Sequence, residues 1–122
     1  MIKVLGIDPG IERLGWGVLV KKEKPDLVSV EKLFFSKNVK TALVIGEVRG
    51  VILATIEQHG IPIVEFTPLQ VKAAVAGNGN AGKAEVASML KLSITLPQKK
   101  LLDDETDALA LALTGLVYKK FG

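Results

Sequence analysis

The chain has 122 residues, the length of one domain, and its composition already excludes several classes of protein. With 48% apolar residues it is too hydrophobic to be a disordered segment, and without cysteine it has no disulfides, thiolate metal sites or cysteine nucleophiles. Its 16 cations and 13 anions give a net charge of +3, which permits an anionic partner without requiring one.

The first quarter of the chain has the pattern of strands. Residues 2–8 form a short apolar run that stops at the turn sequence DPG, and residues 14–20 form a second run that can pair with it as an antiparallel hairpin. A charged stretch with proline at 21–26 predicts an exposed turn, and residues 27–35 predict a third strand. No secretory signal opens the chain and no run approaches the roughly 18 apolar residues of a membrane helix, so we expect a cytoplasmic protein without membrane contact.

The remainder alternates between helices and a strand. Asn38 suits a helix cap and Gly60 a helix end, and Thr67 followed by Pro68 suits a second helix start. The predicted elements are a helix over 39–59, a strand over 61–66, a helix from 68 to Gly77, a helix over 83–92, and a last helix that begins at the acidic cluster 103–107. Because strands are interleaved with helices, the predicted fold class is α/β, a mixed sheet flanked by helices.

Four carboxylates stand where such a fold can gather them. Asp8 ends the first strand and Glu31 lies near the end of the strand at 27–35, and sites in α/β sheets form at strand ends. Asp104 and Asp107 are three residues apart in the first turn of the last helix, so they share one face. Taken singly, each is better explained as a turn or capping residue, and their convergence depends on the assumed fold.

Carboxylates that converge need a counter-charge, because like charges at close range repel each other. Hard oxygen ligands select Mg²⁺ or Mn²⁺, and two such ions about 3.5–4 Å apart clamp the attacking and leaving oxygens of a phosphoryl transfer. The pattern therefore permits metal-dependent chemistry on a phosphate. The alternative is a solvated surface with an acidic helix start.

Five sequence blocks resemble the RuvC-type Holliday junction resolvases, a family with the ribonuclease H-like fold. They occur in the family's order and are VLGIDPG at 4–10, VEKLFFSKN at 30–38, GEVRG at 46–50, TPLQVKAAVAGNG at 67–79 and DETDALALAL at 104–113. The resemblance implies an endonuclease that nicks four-way DNA junctions as a two-fold dimer and leaves 5′-phosphates. It also implies a branch-migration motor complex as a further partner.

The resemblance assigns a role to individual residues. It implies that Asp8, Glu31, Asp104 and Asp107 are catalytic and hold two Mg²⁺ ions, with Mn²⁺ as a substitute. It further implies that Phe34 enters the junction and that Lys37, Lys72 and Lys83 contact DNA. Lys72 and Lys83 flank a loop with three glycines at 77–82, and without the resemblance a solvated helix face and an ordinary loop explain them equally well.

One departure from the family pattern is the short connection between the strands at 14–20 and 27–35. The family has a strand and a helix here, whereas this chain has only KKEKP, so we expect one nuclease domain over 1–122 that is shortened around 21–26. The six residues from Lys21 to Asp26 span up to about 20 Å when extended, which still lets the strands of Asp8 and Glu31 run parallel as neighbours. Without the helix that covers the sheet, we expect lower stability than in full-length relatives.

Other interpretations stay open at this point. The chain can be a junction-binding module that has lost catalysis, which cleavage in Mg²⁺ would exclude. It can also be a nucleotide-binding protein of the actin and sugar-kinase kind, because Asp8, Gly10 and Gly15 match a phosphate loop, although 122 residues do not supply the second lobe. On the long helix, Gly46, Gly50 and Ala54 fit either packing on the sheet or contact with a second copy.

Overall fold

The structure, a computed structural model, describes residues 2–7, 24–32, 39–94 and 103–121, with the side chains of Thr41, Asp103, Asp104 and Phe121 excepted. The predicted strand at 14–20 and the first three residues of its connection to residue 27, 21–23, lie outside these ranges. So do Asp8, Phe34 and Lys37.

Three parallel strands form the described part of the sheet. They are β1 (Val4–Ile7), β2 (Leu27–Glu31) and β3 (Ile63–Phe66), in the spatial order β1-β2-β3. Ile7 pairs with Val30, the residue before Glu31. The prediction that the strands of the first two acids are parallel neighbours is therefore confirmed for β1 and β2.

The starts of β1 and β2 are tied together by two hydrogen bonds. The Lys3 amide donates to the Asp26 carboxylate at 2.8 Å, and the Asp26 amide donates to the Lys3 carbonyl at 2.7 Å. Lys24, two residues earlier, has a φ of 47°, which turns the chain into β2. These contacts fix the register of the two strands at the end opposite to Glu31.

Four helices complete the described structure. They are α1 (Val39–Gln58), α2 (Pro68–Ala76), α3 (Lys83–Ser93) and α4 (Asp103–Phe121). All four were predicted with boundaries that agree to within one or two residues, and the strand predicted at 61–66 begins at Ile63. None of the helices among these residues is long and apolar enough to cross a membrane.

The sheet has a helical layer on each face. On one face α1 contributes Ile52 and Ile56 to a core that contains Ile7, Val28 and Val30 of the strands. On the other face α2, α3 and α4 share a second cluster, whose buried members are Val75, Leu90 and Ala110. This layering matches the predicted sheet flanked by helices.

The start of α2 is specified by contacts between neighbouring residues. The Thr67 hydroxyl accepts from the Gln70 amide at 3.1 Å, and the Gln70 side chain accepts from the Thr67 amide at 2.8 Å, which is a capping box. Pro68 occupies the first helical position, and Gly77 ends the helix with a φ of 74°. The predicted start and end of this helix are therefore confirmed.

Candidate functional site

Glu31 ends β2 on the face of the sheet that α4 covers. Its neighbours Val28 and Val30 point to the α1 core, whereas Ser29 donates its hydroxyl proton to the Leu111 carbonyl of α4 at 2.6 Å. Because side chains alternate along a strand, Glu31 shares the α4 face with Ser29. The residue is half-buried, so its carboxylate group stands at the edge of the protein interior.

The backbone of α4 rests directly on β1 at Gly6. A Cβ added to Gly6 would lie 2.0 Å from the Ala108 carbonyl oxygen and 2.7 Å from the Ala112 amide nitrogen. Glycine is therefore required at Gly6 by the close approach of two backbones. Farther along α4, Gly115 permits a similar close approach to β1, since a Cβ added to Gly115 would lie 2.9 Å from the Val4 side chain.

The acidic start of α4 lies on the β1 side of the sheet. The helix crosses the strands obliquely, from Ala108 over β1 to Tyr118, whose ring meets Phe66 of β3 edge-on with centroids 5.9 Å apart. Asp104 lies four residues before Ala108 and Asp107 four residues before Leu111, so their backbone positions extend toward the helix start the stripe of α4 that faces the sheet. Asp107 is exposed, and it begins the second turn of the helix rather than lying in the first.

The metal site predicted from four carboxylates remains a prediction. Within the residues described, no group of three or more His, Cys, Asp or Glu side chains is placed to hold a metal ion. Two of the four proposed ligands, Asp8 and the Asp104 side chain, lie outside the described residues. The donor chemistry of Glu31 and Asp107 fits Mg²⁺, since carboxylate oxygens are its preferred protein ligands.

Behind the site, Arg49 of α1 reaches the end of the sheet from the opposite face. Its Nη2 lies 3.5 Å from the Glu31 carbonyl oxygen and donates to the Glu65 carboxylate of β3. The Arg49 side chain is only 13% exposed. Arg49 therefore connects α1, the last residue of β2 and β3 in one place.

The two lysines that flank the glycine-rich loop differ in their surroundings. Lys72 of α2 is half-buried, and Lys83 is the exposed first residue of α3. The loop between them is tightly turned, because the Asn78 side chain accepts from the Asn80 amide at 3.0 Å. An added Cβ at Gly79 would lie 2.8 Å from the Leu69 side chain, so the loop packs closely on α2.

A second surface lies on the solvent side of α1. We call it the outer face of α1, and its exposed apolar members are Val39, Leu43, Val44 and Val51, with Gly50 and Ala54 between them. Val51 is 65% exposed, and nothing lies within 4 Å of a Cβ added to Gly50. Packing of Gly50 and Ala54 on the sheet, one of the two explanations of the small-residue pattern, is therefore wrong, because these residues point away from the sheet.

Three contributors to this site carry only weak signals in the sequence. Ser29 is a polar residue inside the apolar run LVSVE, which marks a side chain that must find a hydrogen-bond partner. Arg49 is the single cation in the middle of an apolar helix segment. Gly6 interrupts the first strand, and a glycine within a strand often marks a close backbone approach.

Comparison with known proteins places the chain among DNA-processing enzymes. The family model described as "Crossover junction endodeoxyribonuclease RuvC" matches residues 19–115. The chain is 36% identical to the RuvC of Roseiflexus sp. (strain RS-1) over 148 positions, which cover 91% of this chain and 88% of the relative. It is 36% identical to the RuvC of Brevibacillus brevis over 157 positions, with 98% and 95% covered. Both alignments exceed the 122 residues of this chain, so these relatives contain residues that it lacks.

The fold is similar to solved structures as well. The RuvC of Thermus thermophilus in complex with a Holliday junction substrate matches with a TM-score of 0.90 and 27% identity, covering 100% of this chain and 97% of that one. A second Thermus thermophilus RuvC structure matches with a TM-score of 0.86 and 28% identity. The predicted α/β class, with helices on a sheet, is confirmed by this similarity.

Proposed function

We propose, from the premise that this chain belongs to the RuvC family of crossover junction endodeoxyribonucleases, that it resolves four-way DNA junctions by paired, metal-dependent nicks. Its fold is the ribonuclease H-like α/β fold of that family. The observation that carries the proposal is a shared placement. Glu31, at the end of β2, and the Asp104–Asp107 turn of α4 belong to the same face of one sheet.

The proposed metal ligands are Asp8, Glu31, Asp104 and Asp107, which would hold two Mg²⁺ ions with Mn²⁺ as a substitute. Asp8 follows Ile7 in the sequence, and Ile7 pairs with Val30, the residue before Glu31. If the alternation of β1 continues by one residue, Asp8 stands opposite Glu31 on the α4 face. Bound Mg²⁺ would offset the mutual repulsion of the carboxylates and stabilise the charge that develops on the phosphate.

In the proposed reaction, water attacks the phosphorus atom in line with the leaving 3′-oxygen. The bond between phosphorus and the 3′-oxygen breaks, which leaves a 5′-phosphate and a 3′-hydroxyl. The protein would contribute by orientation, because carboxylates that follow β1, end β2 and begin α4 would hold the reacting groups without rearrangement. Asp104 is the member of the set that we assign to orient the attacking water or to serve as a further ligand.

The proposed DNA contacts are Phe34, Lys37, Lys72 and Lys83. Lys72 and Lys83 lie on helices that share the layer of α4, so they belong to the same side of the sheet as the proposed carboxylate site. Cations there would meet backbone phosphates and position the junction, since phosphate contacts set register and orientation rather than sequence preference. Phe34 is proposed to stack on a base, which contributes roughly 1–3 kcal/mol where it occurs.

The proposed assembly is a homodimer formed through the outer face of α1. Apolar side chains contiguous on one helix face favour association, and the small residues Gly50 and Ala54 would permit a second helix to approach closely. Two-fold symmetry would present two active sites to the two strands that must be cut. We further propose that residues 1–122 act as one nuclease domain in the cytoplasm, with a branch-migration motor complex as a partner.

Carboxylate variants test the proposal most directly. Glu31→Gln and Asp107→Asn should each lower nicking of a labelled four-way junction in Mg²⁺ at least about 100-fold, since each removes a ligand charge while keeping the shape of the side chain. Glu105→Gln is the matched control, because it removes one charge from the same acidic turn without removing a proposed ligand. Junction binding in Ca²⁺, which takes longer bonds and looser geometry, should persist in all three variants.

Two results would contradict the proposal. Parental nicking by Glu31→Gln or Asp107→Asn would remove that residue from the active site. Tight junction binding by the parent without any Mg²⁺-dependent nicking would favour the junction-binding module instead.

A further inference from the structure

The burial of Arg49 is not explained by its ion pair. Its partner Glu65 has a side chain that is 45% exposed, and such a surface pair contributes at most about 1 kcal/mol. Among the described residues, the buried Nε of Arg49 has no hydrogen-bond partner, which adds a further cost to its position. A second interaction is needed to account for a guanidinium held in this place.

The hydrogen-bond pattern of β2 supplies that interaction. The Lys32 amide donates to the Phe66 carbonyl of β3 at 2.9 Å, and backbone groups of successive residues point to opposite neighbours. The Glu31 carbonyl is therefore directed to the β1 side. The described pairs of β1 and β2 end at Ile7 and Val30, one residue before Glu31, and the Nη2 of Arg49 lies 3.5 Å from the Glu31 carbonyl oxygen.

We propose that Arg49 is a positioning residue of the nuclease site, whose Nη2 donates to the Glu31 carbonyl at the end of β2. This inference rests on the proposed function, in which the Glu31 carboxylate is a metal ligand. By fixing the backbone of Glu31 at the end of its strand, Arg49 limits the positions open to that carboxylate. Groups that orient metal ligands in this way typically affect metal affinity or activity by 10- to 100-fold.

Two variants separate the Glu31 contact from the ion pair. Arg49→Met removes both contacts and keeps most of the side-chain volume, whereas Glu65→Gln removes the charge of the ion pair and leaves Arg49 beside the Glu31 carbonyl. Two quantities are measured for each variant, namely the rise in Tm on adding Mg²⁺ and the single-turnover nicking rate as a function of Mg²⁺ concentration. The first reports ion binding to the folded protein independently of cleavage.

The expected result is asymmetric. Arg49→Met should show a smaller Mg²⁺-induced rise in Tm and a nicking rate lowered roughly 10- to 100-fold, with junction binding in Ca²⁺ unchanged. Glu65→Gln should stay within about three-fold of the parent in rate, because the contact to the Glu31 carbonyl persists. Equal losses in the two variants would overturn the inference, and so would a parental response of Arg49→Met to Mg²⁺.

A third variant covers the case in which Arg49→Met fails to fold. Arg49→Lys keeps a cation for Glu65, but one ammonium group on a flexible stem does not reproduce the rigid fork of the guanidinium. It should fold like the parent and need more Mg²⁺ for half-maximal nicking, and an unchanged requirement would overturn the inference.

The Glu31→Gln variant separates an error in the proposed metal site from an error in the role of Arg49. If it nicks like the parent, the proposed site is wrong, and if it is inactive while Arg49→Met is unimpaired, only the role of Arg49 is wrong.

Discussion

The Gly6→Ala substitution would press one methyl group against the backbone of α4. The added Cβ would lie 2.0 Å from the Ala108 carbonyl oxygen, whereas a carbon–oxygen contact needs roughly 3.3 Å. Neither this oxygen nor the Ala112 nitrogen, 2.7 Å away, belongs to a side chain that can rotate, so α4 must move from β1 by roughly 1 Å. Overpacking of this kind costs about 1–3 kcal/mol, and we expect the free energy of unfolding to fall by about 3 kcal/mol.

Thermal unfolding at fixed protein concentration measures this loss. For a domain of this size about 1 kcal/mol corresponds to roughly 4 °C, so the Tm of Gly6→Ala should fall by roughly 12 °C. Gly82→Ala is the matched control, because nothing lies within 4 Å of its added Cβ and its φ of −80° is open to alanine. Its Tm should stay level or rise.

The same displacement of α4 should lower the nicking rate at a temperature where the Gly6→Ala variant is still folded. A shift of about 1 Å in a reacting group can cost 100-fold in rate, and α4 carries Asp104 and Asp107. A Gly6→Ala protein that unfolds within about 2 °C of the parent would refute the close approach of β1 and α4. A destabilised variant that nicks at the parental rate would show that the seating of α4 does not position these acids.

Three further predictions concern single contacts. Ser29→Ala removes the hydroxyl that donates to Leu111, so its unfolding free energy in urea should fall by about 1 kcal/mol, and an unchanged midpoint would contradict that role. Lys72→Ala and Lys83→Ala should each lower the slope of log affinity against log salt by roughly one unit in junction-binding assays, whereas an unaltered slope would mean that the lysine only meets solvent. Val51→Glu should convert the proposed dimer to monomers in sedimentation experiments while Leu92→Glu, a change at an exposed apolar residue of α3, should not, and loss of the dimer in both would argue against the outer face of α1.

Local signals in the sequence were sufficient for most of the described elements. The capping box of Thr67 and Gln70, Pro68 at the first helical position, and Gly77 at the end are contacts within a few residues, so the helix between them was predictable. The end of α1 was predictable in the same way, because Gly60, with a φ of 70°, ends the turn that follows this helix. The neighbouring placement of β1 and β2 was predictable from the family resemblance rather than from any local pattern.

The supporting contacts of the site could not be predicted, because each joins residues far apart in the chain. Ser29 and Leu111 are separated by 82 positions, and only the packed structure shows that the hydroxyl meets a helix carbonyl. Arg49 lies in the block GEVRG, which gave no indication that its guanidinium reaches through the α1 layer to the end of β2. The metal-binding roles of Asp8, Glu31, Asp104 and Asp107, and the DNA contacts of Phe34, Lys37, Lys72 and Lys83, stay predictions.

The two-layered arrangement about the sheet has a consequence for how such a protein can diverge. Substitutions on the outer face of α1 change a surface on one side of the sheet, while Glu31 and the acidic turn of α4 lie on the other. Selection can therefore alter assembly in one lineage and chemistry in another, with little interference between the two traits. Arg49 is the exception, because its side chain passes from the first layer to the last residue of β2. Drift at that position would be constrained by the proposed nuclease site, although Arg49 lies on the helix that carries the proposed dimer surface.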